Sequence, residues 1–300
     1  MPRAITSPLL ILVLLAVLLA LLGMYVLGVN RVGECFRPSE TGTPRAQGIG
    51  SVAWARLYIV VDNRAWKGLE PAWGLSVFVE TPVANILFDT GPDDYILGLN
   101  AHRLGIDPCN VSAIVVSHEH LDHIGGLAYI AQHCPDKPVY VPRGFNPDTL
   151  DALHGMGLHS IIVVNETTEI APGILILGPL HGPPWEQSLA VNVASQGLVL
   201  LVGCSHPGVT NIARKAVEET HRPIALVIGG FHLFGTPEPV CKQIADTLVK
   251  LGAKYIAPIH CSGDTIRNVL RTYYPQHYID AKAGTTIYIA EKSVQVQSQY

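Results

Sequence analysis

The stretch Ile114-Val115-Val116-Ser117-His118-Glu119-His120-Leu121-Asp122-His123-Ile124-Gly125-Gly126 limits what this chain can fold into more than any other. An apolar, largely β-branched run from Ala113 to Val116 reads as a buried strand. It ends in three histidines and two acids within six positions, and two glycines open the next segment. Imidazole and carboxylate are ligands of zinc and its borderline-soft neighbours. His118 and His120 flank Glu119, so in an extended chain their side chains leave on one side. Asp122 and His123 follow after the chain has turned and are free to face a second ion. One short loop can therefore hold two metals a few ångströms apart, an arrangement suited to hydrolytic displacement. A loop of merely solvated histidines would have to reproduce the strand, the spacing and the glycines by coincidence.

The spacing resembles the His-x-His-x-Asp-His signature of the metallo-β-lactamase fold superfamily. Three hundred residues leave room for one large domain. A formal net charge of −4 gives no electrostatic case for nucleic acid, and none is expected as a partner.

Much of the chain's apolarity sits at its start. Leu9 to Leu27 carries no charged residue and, at about 1.5 Å per residue, reaches across a hydrocarbon core of about 30 Å. A signal peptide has a shorter core and a small-x-small cleavage site. The run is longer and no clean site follows, so an uncleaved single-pass anchor is expected over residues 1–29. Glu34 precedes Cys35, where a lipoprotein needs a small residue. Residues 30–50, rich in Gly, Pro, Ser and Thr, read as a flexible linker, and residues 51–300 as the catalytic domain. Arg31, Arg37 and Arg45 against Arg3 lean towards a cytoplasmic catalytic domain, although a large domain crosses regardless of charge. The six cysteines show no C-x-x-C pair and no disulfide framework, so most are expected as buried thiols.

Strands are expected early in the domain, ending at Asp62-Asn63 and at Asp89-Thr90-Gly91. Later, strands alternate with helices. The segment from Gly178 to Trp185 reads as a Gly/Pro-rich loop, and Thr285 to Ala290 as the last strand. The pattern suggests two sheets packed face to face with helices outside. Asp89, at a strand end beside the histidine loop, is placed to orient a ligand histidine. Three later strands deliver His-bearing, Gly-rich loops with His206, His232 and His260. Four ligands from one loop do not close two metal shells, so others must arrive from later in the chain. Spacing alone leaves His181 and Cys204 open as alternative ligands.

Gly203-Cys204-Ser205-His206-Pro207-Gly208, Gly229-Gly230-Phe231-His232-Leu233 and His260-Cys261-Ser262-Gly263 together resemble one branch of that superfamily. The branch is named for 7,8-dihydropterin-6-methyl-4-(β-D-ribofuranosyl)aminobenzene-5′-phosphate synthase. Val61-Asp62-Asn63, Gly74-Leu75-Ser76, Leu87-Phe88-Asp89-Thr90-Gly91 and Glu186-Gln187 extend the likeness to nearly the whole domain. The resemblance implies an α/β protein of the αββα sandwich type; the preceding N-terminal transmembrane helix, read from the apolar run, is a departure from the simplest relatives. It places His206 and His260 with His118, His120, Asp122 and His123 among the metal ligands, and has His232 line the pocket or approach a metal. It implies one or two divalent ions, Zn2+ first among them.

The expectation is a membrane-anchored metallohydrolase in which a metal-bound hydroxide attacks a small-molecule substrate, and the branch name points to a phosphorylated or pterin-like one. Asp122 would orient the hydroxide, and His232 would stabilise the oxyanion. The alternatives are a membrane-tethered metal- or ligand-binding protein without turnover and a di-iron redox member of the fold.

Overall fold

A computed structural model describes residues 48–298. The span read at residues 9–27, the linker up to residue 47 and Cys35 lie outside the described residues. Among those described, no helix is long and apolar enough to cross a membrane.

The chain runs β1 (Trp54–Val61), β2 (Ser76–Glu80), β3 (Ile86–Phe88), α1 (Asp94–Leu104), β4 (Ala113–Val115), α2 (Leu121–Ile124), α3 (Leu127–His133), β5 (Val139–Pro142), α4 (Pro147–Gly155) and β6 (Ile161–Val164). It continues through β7 (Thr168–Ala171), β8 (Ile174–His181), β9 (Trp185–Val193), β10 (Gly197–Val202), α5 (Val209–Thr220), β11 (Ile224–Gly230), α6 (Glu238–Lys250), β12 (Tyr255–Ile259), a 3-10 turn (His260–Ser262), α7 (Asp264–Tyr273), β13 (Thr285–Ala290) and β14 (Ser293–Ser298).

The strands form two sheets, ordered β14-β13-β1-β2-β3-β4-β5-β6 and β12-β11-β10-β9-β8-β7. Leu57, Val77, Phe88 and Val115 of the first pack against Ile176, Leu189, Val199 and Ile228 of the second in one buried cluster. On the outer faces, α1 and α3 cover the first sheet through Leu97 and Leu127. Helices α5, α6 and α7 cover the second through Ile212, Ala245 and Val269. Central strands are thus buried on both sides, which is why β4 and β10 read as unbroken apolar runs. The architecture is the αββα sandwich that the alternating pattern suggests.

Both sheets contain parallel runs, β3-β4-β5-β6 in one and β10-β11-β12 in the other. Parallel strands end on the same side, so the loops after β3, β4, β10, β11 and β12 can meet at one edge of the sandwich.

Three expectations need correction. The segment from Gly178 is not a loop until Pro184, because β8 continues to His181. A register shift between Leu177 and Leu180 absorbs Gly178-Pro179, and a bulge is where a strand tolerates a residue without N–H. Thr285–Ala290 is not the last strand, since β14 follows it as an edge strand of alternating polar residues. Cys109 and Cys134, expected as thiols, form a disulfide between the α1–β4 loop and the end of α3. Cys204, Cys241 and Cys261 are buried thiols.

The disulfide closes a loop of 25 residues, which corresponds to about 3 kcal/mol of chain-entropy stabilisation. Replacing both Cys109 and Cys134 by Ser should lower unfolding free energy by that order in denaturant melts. Reductant should shift the parent chain by the same amount and leave the double variant unmoved.

Candidate metal centre

The histidine loop is fixed from β3. Asp89, fully buried, accepts from the Ser117 backbone N–H (2.7 Å), the Ser117 hydroxyl (2.7 Å) and His123 Nδ1 (2.7 Å). Thr90 holds the backbone of the same residue: its N–H and hydroxyl both donate to the His123 carbonyl, at 2.8 and 3.0 Å. Gly125 and Gly126 then pass against this turn. A Cβ on Gly125 would sit 1.8 Å from the Pro92 carbonyl oxygen, and one on Gly126 would sit 2.1 Å from that of Thr90. Only glycine allows so close an approach.

Four imidazoles are held in one tautomer by the acceptor each meets at Nδ1. For His123 the acceptor is Asp89, for His206 Glu186 Oε2 (2.9 Å) and for His260 Asn63 Oδ1 (3.0 Å). The Ser117 hydroxyl gives its proton to Asp89, so it accepts from His118 Nδ1 at 2.9 Å. A proton fixed on Nδ1 leaves the Nε2 lone pair facing inward. His118 Nε2 comes 3.1 Å from His120 Nδ1. His123 Nε2 lies 3.3 Å from Cys204 Sγ. His260 Nε2 lies 3.2 Å from Asp122 Oδ2 but is buried without an aligned hydrogen bond. Lone pairs crowded against one another in this way call for a cation between them, so the residues fit a metal.

The donors fall into groups whose ligand atoms lie within 4.8 Å of one another: Asp122, His123, Cys204 and His260; and His118, Cys204 and His206. His120 adjoins the second group, its ring 4.9 Å from that of His206. Cys204 is common to both. A third group joins Cys204 to His232 and Cys261. His181 is in none of the groups; it lies exposed at the end of β8 with its ring against Trp185.

Electrostatics favour ligation at His118, His120 and Asp122. Burial, then repulsion from the neighbouring imidazoles, pushes His118 well below its ordinary range, so it is neutral and ready to donate a lone pair. His120 is lowered for the same reasons. Burial works against a protonated His123, but Asp89 raises it on balance. Burial would raise Asp122, yet the facing His260 and His123 bring it down to about 2, so it is a carboxylate throughout the neutral range.

Sequence reasoning singled out neither Glu186 nor Asp62 as a supporting group. Glu186, at the start of β9, accepts from the Ser205 N–H (2.7 Å) and the His206 N–H (2.9 Å) as well as from the His206 ring. Asp62, at the end of β1, accepts from the His260 N–H at 2.6 Å. For Asp62 an acid closing an apolar strand is the available signal, the one Asp89 also gives; Glu186, opening β9, gives no such signal.

A sequence profile of the metallo-beta-lactamase superfamily matches residues 74–260, the interval from the turn before β2 to the last histidine of the centre. The chain belongs to the metallo-β-lactamase superfamily. It is similar to the 7,8-dihydropterin-6-methyl-4-(β-D-ribofuranosyl)-aminobenzene-5′-phosphate synthase of Methanocaldococcus jannaschii, with 25% identity over 290 residues, 80% of this chain and 98% of that relative. Among solved structures, a metal-dependent hydrolase of the β-lactamase superfamily matches with a TM-score of 0.68 and 26% identity, over 79% of this chain and 99% of that one. The fold is also that of the metallo-β-lactamase fold protein YhfI from Bacillus subtilis, at a TM-score of 0.56 and 15% identity over 79% of this chain and all of that one.

Asp89→Asn keeps the size of the side chain and removes the acceptor that orients His123. Metal affinity, measured by competition with a chelating dye, should fall about 10–100-fold while the circular dichroism spectrum is retained. Unchanged affinity would mean that His123 is oriented by something else.

Proposed function

We propose that this chain is a metal-dependent hydrolase acting on a small, phosphorylated or pterin-like molecule, and that residues 9–27 attach it to a membrane. The observation that carries the catalytic reading is the convergence of imidazole lone pairs, each with its opposite nitrogen held by an acceptor. The donor set of imidazole, carboxylate and thiolate suits Zn2+. His118, His120 and His206 would hold one ion, and Asp122, His123 and His260 a second, with Cys204 between them. One or two such ions, when bound, supply Lewis acidity and lower the pKa of a water to about 7.

The remaining work falls to the chain. Asp122 Oδ2, ionised and partly open to the pocket, accepts a hydrogen bond from the attacking water and aims it at an electrophilic carbon or phosphorus. The buried acceptors behind the ligands keep the geometry fixed while charge develops. Trp73, 57% exposed, has its ring 5.2 Å from that of His260. This apolar surface beside the site favours a substrate with a flat or apolar part. The relatives' names support a hydrolytic centre and a phosphorylated, pterin-related substrate.

Membrane attachment is supported by the uncharged length of residues 9–27. The Cys109–Cys134 disulfide favours an oxidising compartment for the domain, against the lean of the arginine count.

Purified full-length protein should hydrolyse at least one member of a panel of phosphomonoesters, phosphodiesters and lactones, lose that activity to a chelator and regain it with zinc. Asp122→Asn should then lower kcat/KM by at least about a hundredfold, since water activation and orientation are asked to supply several kcal/mol and each 1.36 kcal/mol is about tenfold. A variant that kept its metal and near-parental kcat/KM would overturn the role given to Asp122. For the anchor, alkaline carbonate should leave the full-length chain in the membrane pellet; release into the supernatant would remove that part of the proposal.

A further inference from the structure

The mechanism makes no use of Cys261, a thiol 4% exposed that immediately follows a proposed ligand. A buried thiol is ordinarily a small apolar side chain. Cys241 has that role here: it is fully buried in the apolar cluster under the second sheet's helices. Cys204 and Cys261 differ from it. Neither belongs to any of the three apolar clusters. Their sulfurs lie 3.2 Å apart, and Cys204 Sγ lies 3.3 Å from His123 Nε2. The ligand atoms of Cys204, His232 and Cys261 all fall within 4.8 Å of one another. His232 stands at φ 52, a left-handed conformation that costs a residue with a side chain, and its ring comes 4.7 Å from that of His206. Beneath the sulfur, a Cβ on Gly230 would sit 2.7 Å from Cys261 Sγ, so glycine keeps the space the thiol occupies.

We infer that Cys204, His232 and Cys261 form a third ligand set, a thiolate-rich subsite that chelates a thiophilic divalent ion beside the imidazole and carboxylate donors. The inference rests on reading the pocket as a metal centre and adds two donors to it. His232 then serves as a ligand and not as an oxyanion donor. The sulfur separation favours an ion over a bond between the sulfurs. Two thiolates on tetrahedral zinc, each about 2.3 Å from the metal, lie about 3.7 Å apart, so the observed pair opens by about half an ångström. A disulfide of about 2.05 Å would need the pair to close by more than twice that. Cys204, shared by all three donor groups, links the subsite to its neighbours as a bridging thiolate.

The test is Co2+ titration of metal-stripped, full-length protein, followed by its sulfur-to-cobalt charge-transfer band in the near ultraviolet and its visible ligand-field bands. The parent protein should develop both. Cys261→Ser should lose the part of the charge-transfer intensity that comes from its own sulfur–cobalt bond and keep the visible bands of the remaining sites. His232→Ala should weaken cobalt binding at the sulfur-bearing step alone. An undiminished charge-transfer band in Cys261→Ser would overturn the inference and leave Cys204 as the one sulfur ligand, with the metal centre itself intact. No cobalt bands of either kind in the parent would overturn the metal-centre reading as well. X-ray absorption of the zinc-loaded parent needs no variant: a sulfur shell averaging more than one scatterer per zinc supports the subsite, because Cys204 alone gives each ion at most one. A shell of one sulfur or fewer per zinc, or a Cys204–Cys261 disulfide in the peptide map, removes it.

Discussion

The Asp89 carboxylate is the interaction on which the centre depends. It is fully buried and ends β3, while its three donors belong to the segment after β4 and to α2. A carboxylate left in that position without partners would be strongly destabilising. Three short hydrogen bonds compensate it, and in doing so they fix the Ser117 backbone, the Ser117 hydroxyl and the His123 ring. The hydroxyl in turn orients His118. One buried group therefore orders two of the imidazoles through contacts that need no metal.

The same device recurs for the two histidines that the facing sheet delivers. Glu186 accepts two backbone N–H groups and the His206 ring; Asp62 with Asn63 receives the N–H and ring of His260. Each acceptor comes from a different strand than the ligand it orients, so the ligands cannot be moved independently of the sandwich. Gln187 adds the cross-tie between sheets: its side-chain amide donates to the carbonyls of Val116, just after β4, and Tyr140, within β5. The centre spans both sheets, and the packed core between them sets the spacing of its two halves.

Legibility in the sequence follows from locality. His118, His120, Asp122 and His123 are visible because one loop carries them all. The central strands are visible because burial on both faces leaves them unbroken and apolar. His206 and His260 are marked by strand ends and glycines, but choosing them over His181 took the family resemblance, since nothing local says which histidines reach the first loop. Glu186 and Asp62 were not legible as supporting groups: their partners lie 20 and 198 residues away in sequence. The Cys109–Cys134 pair was missed for a related reason, since it depends on how α3 packs beside α1, which cysteine spacing does not encode. β14 escaped because an edge strand facing solvent carries polar residues that read as a tail.

Backbone strain shows how tightly the centre is built. Asp89, Ser205, His232 and His260 all have φ between 48 and 62, and among the described residues the other two side-chain-bearing residues in that region, Ser195 and His221, sit in a hairpin turn and at the end of α5. Such conformations cost about 1–3 kcal/mol each. At Ser205 and His260 the strained residue's own N–H is bonded by the carboxylate of Glu186 or Asp62, and a hydrogen bond to a charged group contributes about 1.5–3 kcal/mol. The two magnitudes match, so these carboxylates offset the strain of the turn as well as orienting an imidazole. Glycine at these positions would relieve the backbone, but at Asp89 and His260 it would also delete the acceptor or the ligand. Strain therefore persists where a strand must end abruptly and still present a side chain to the pocket.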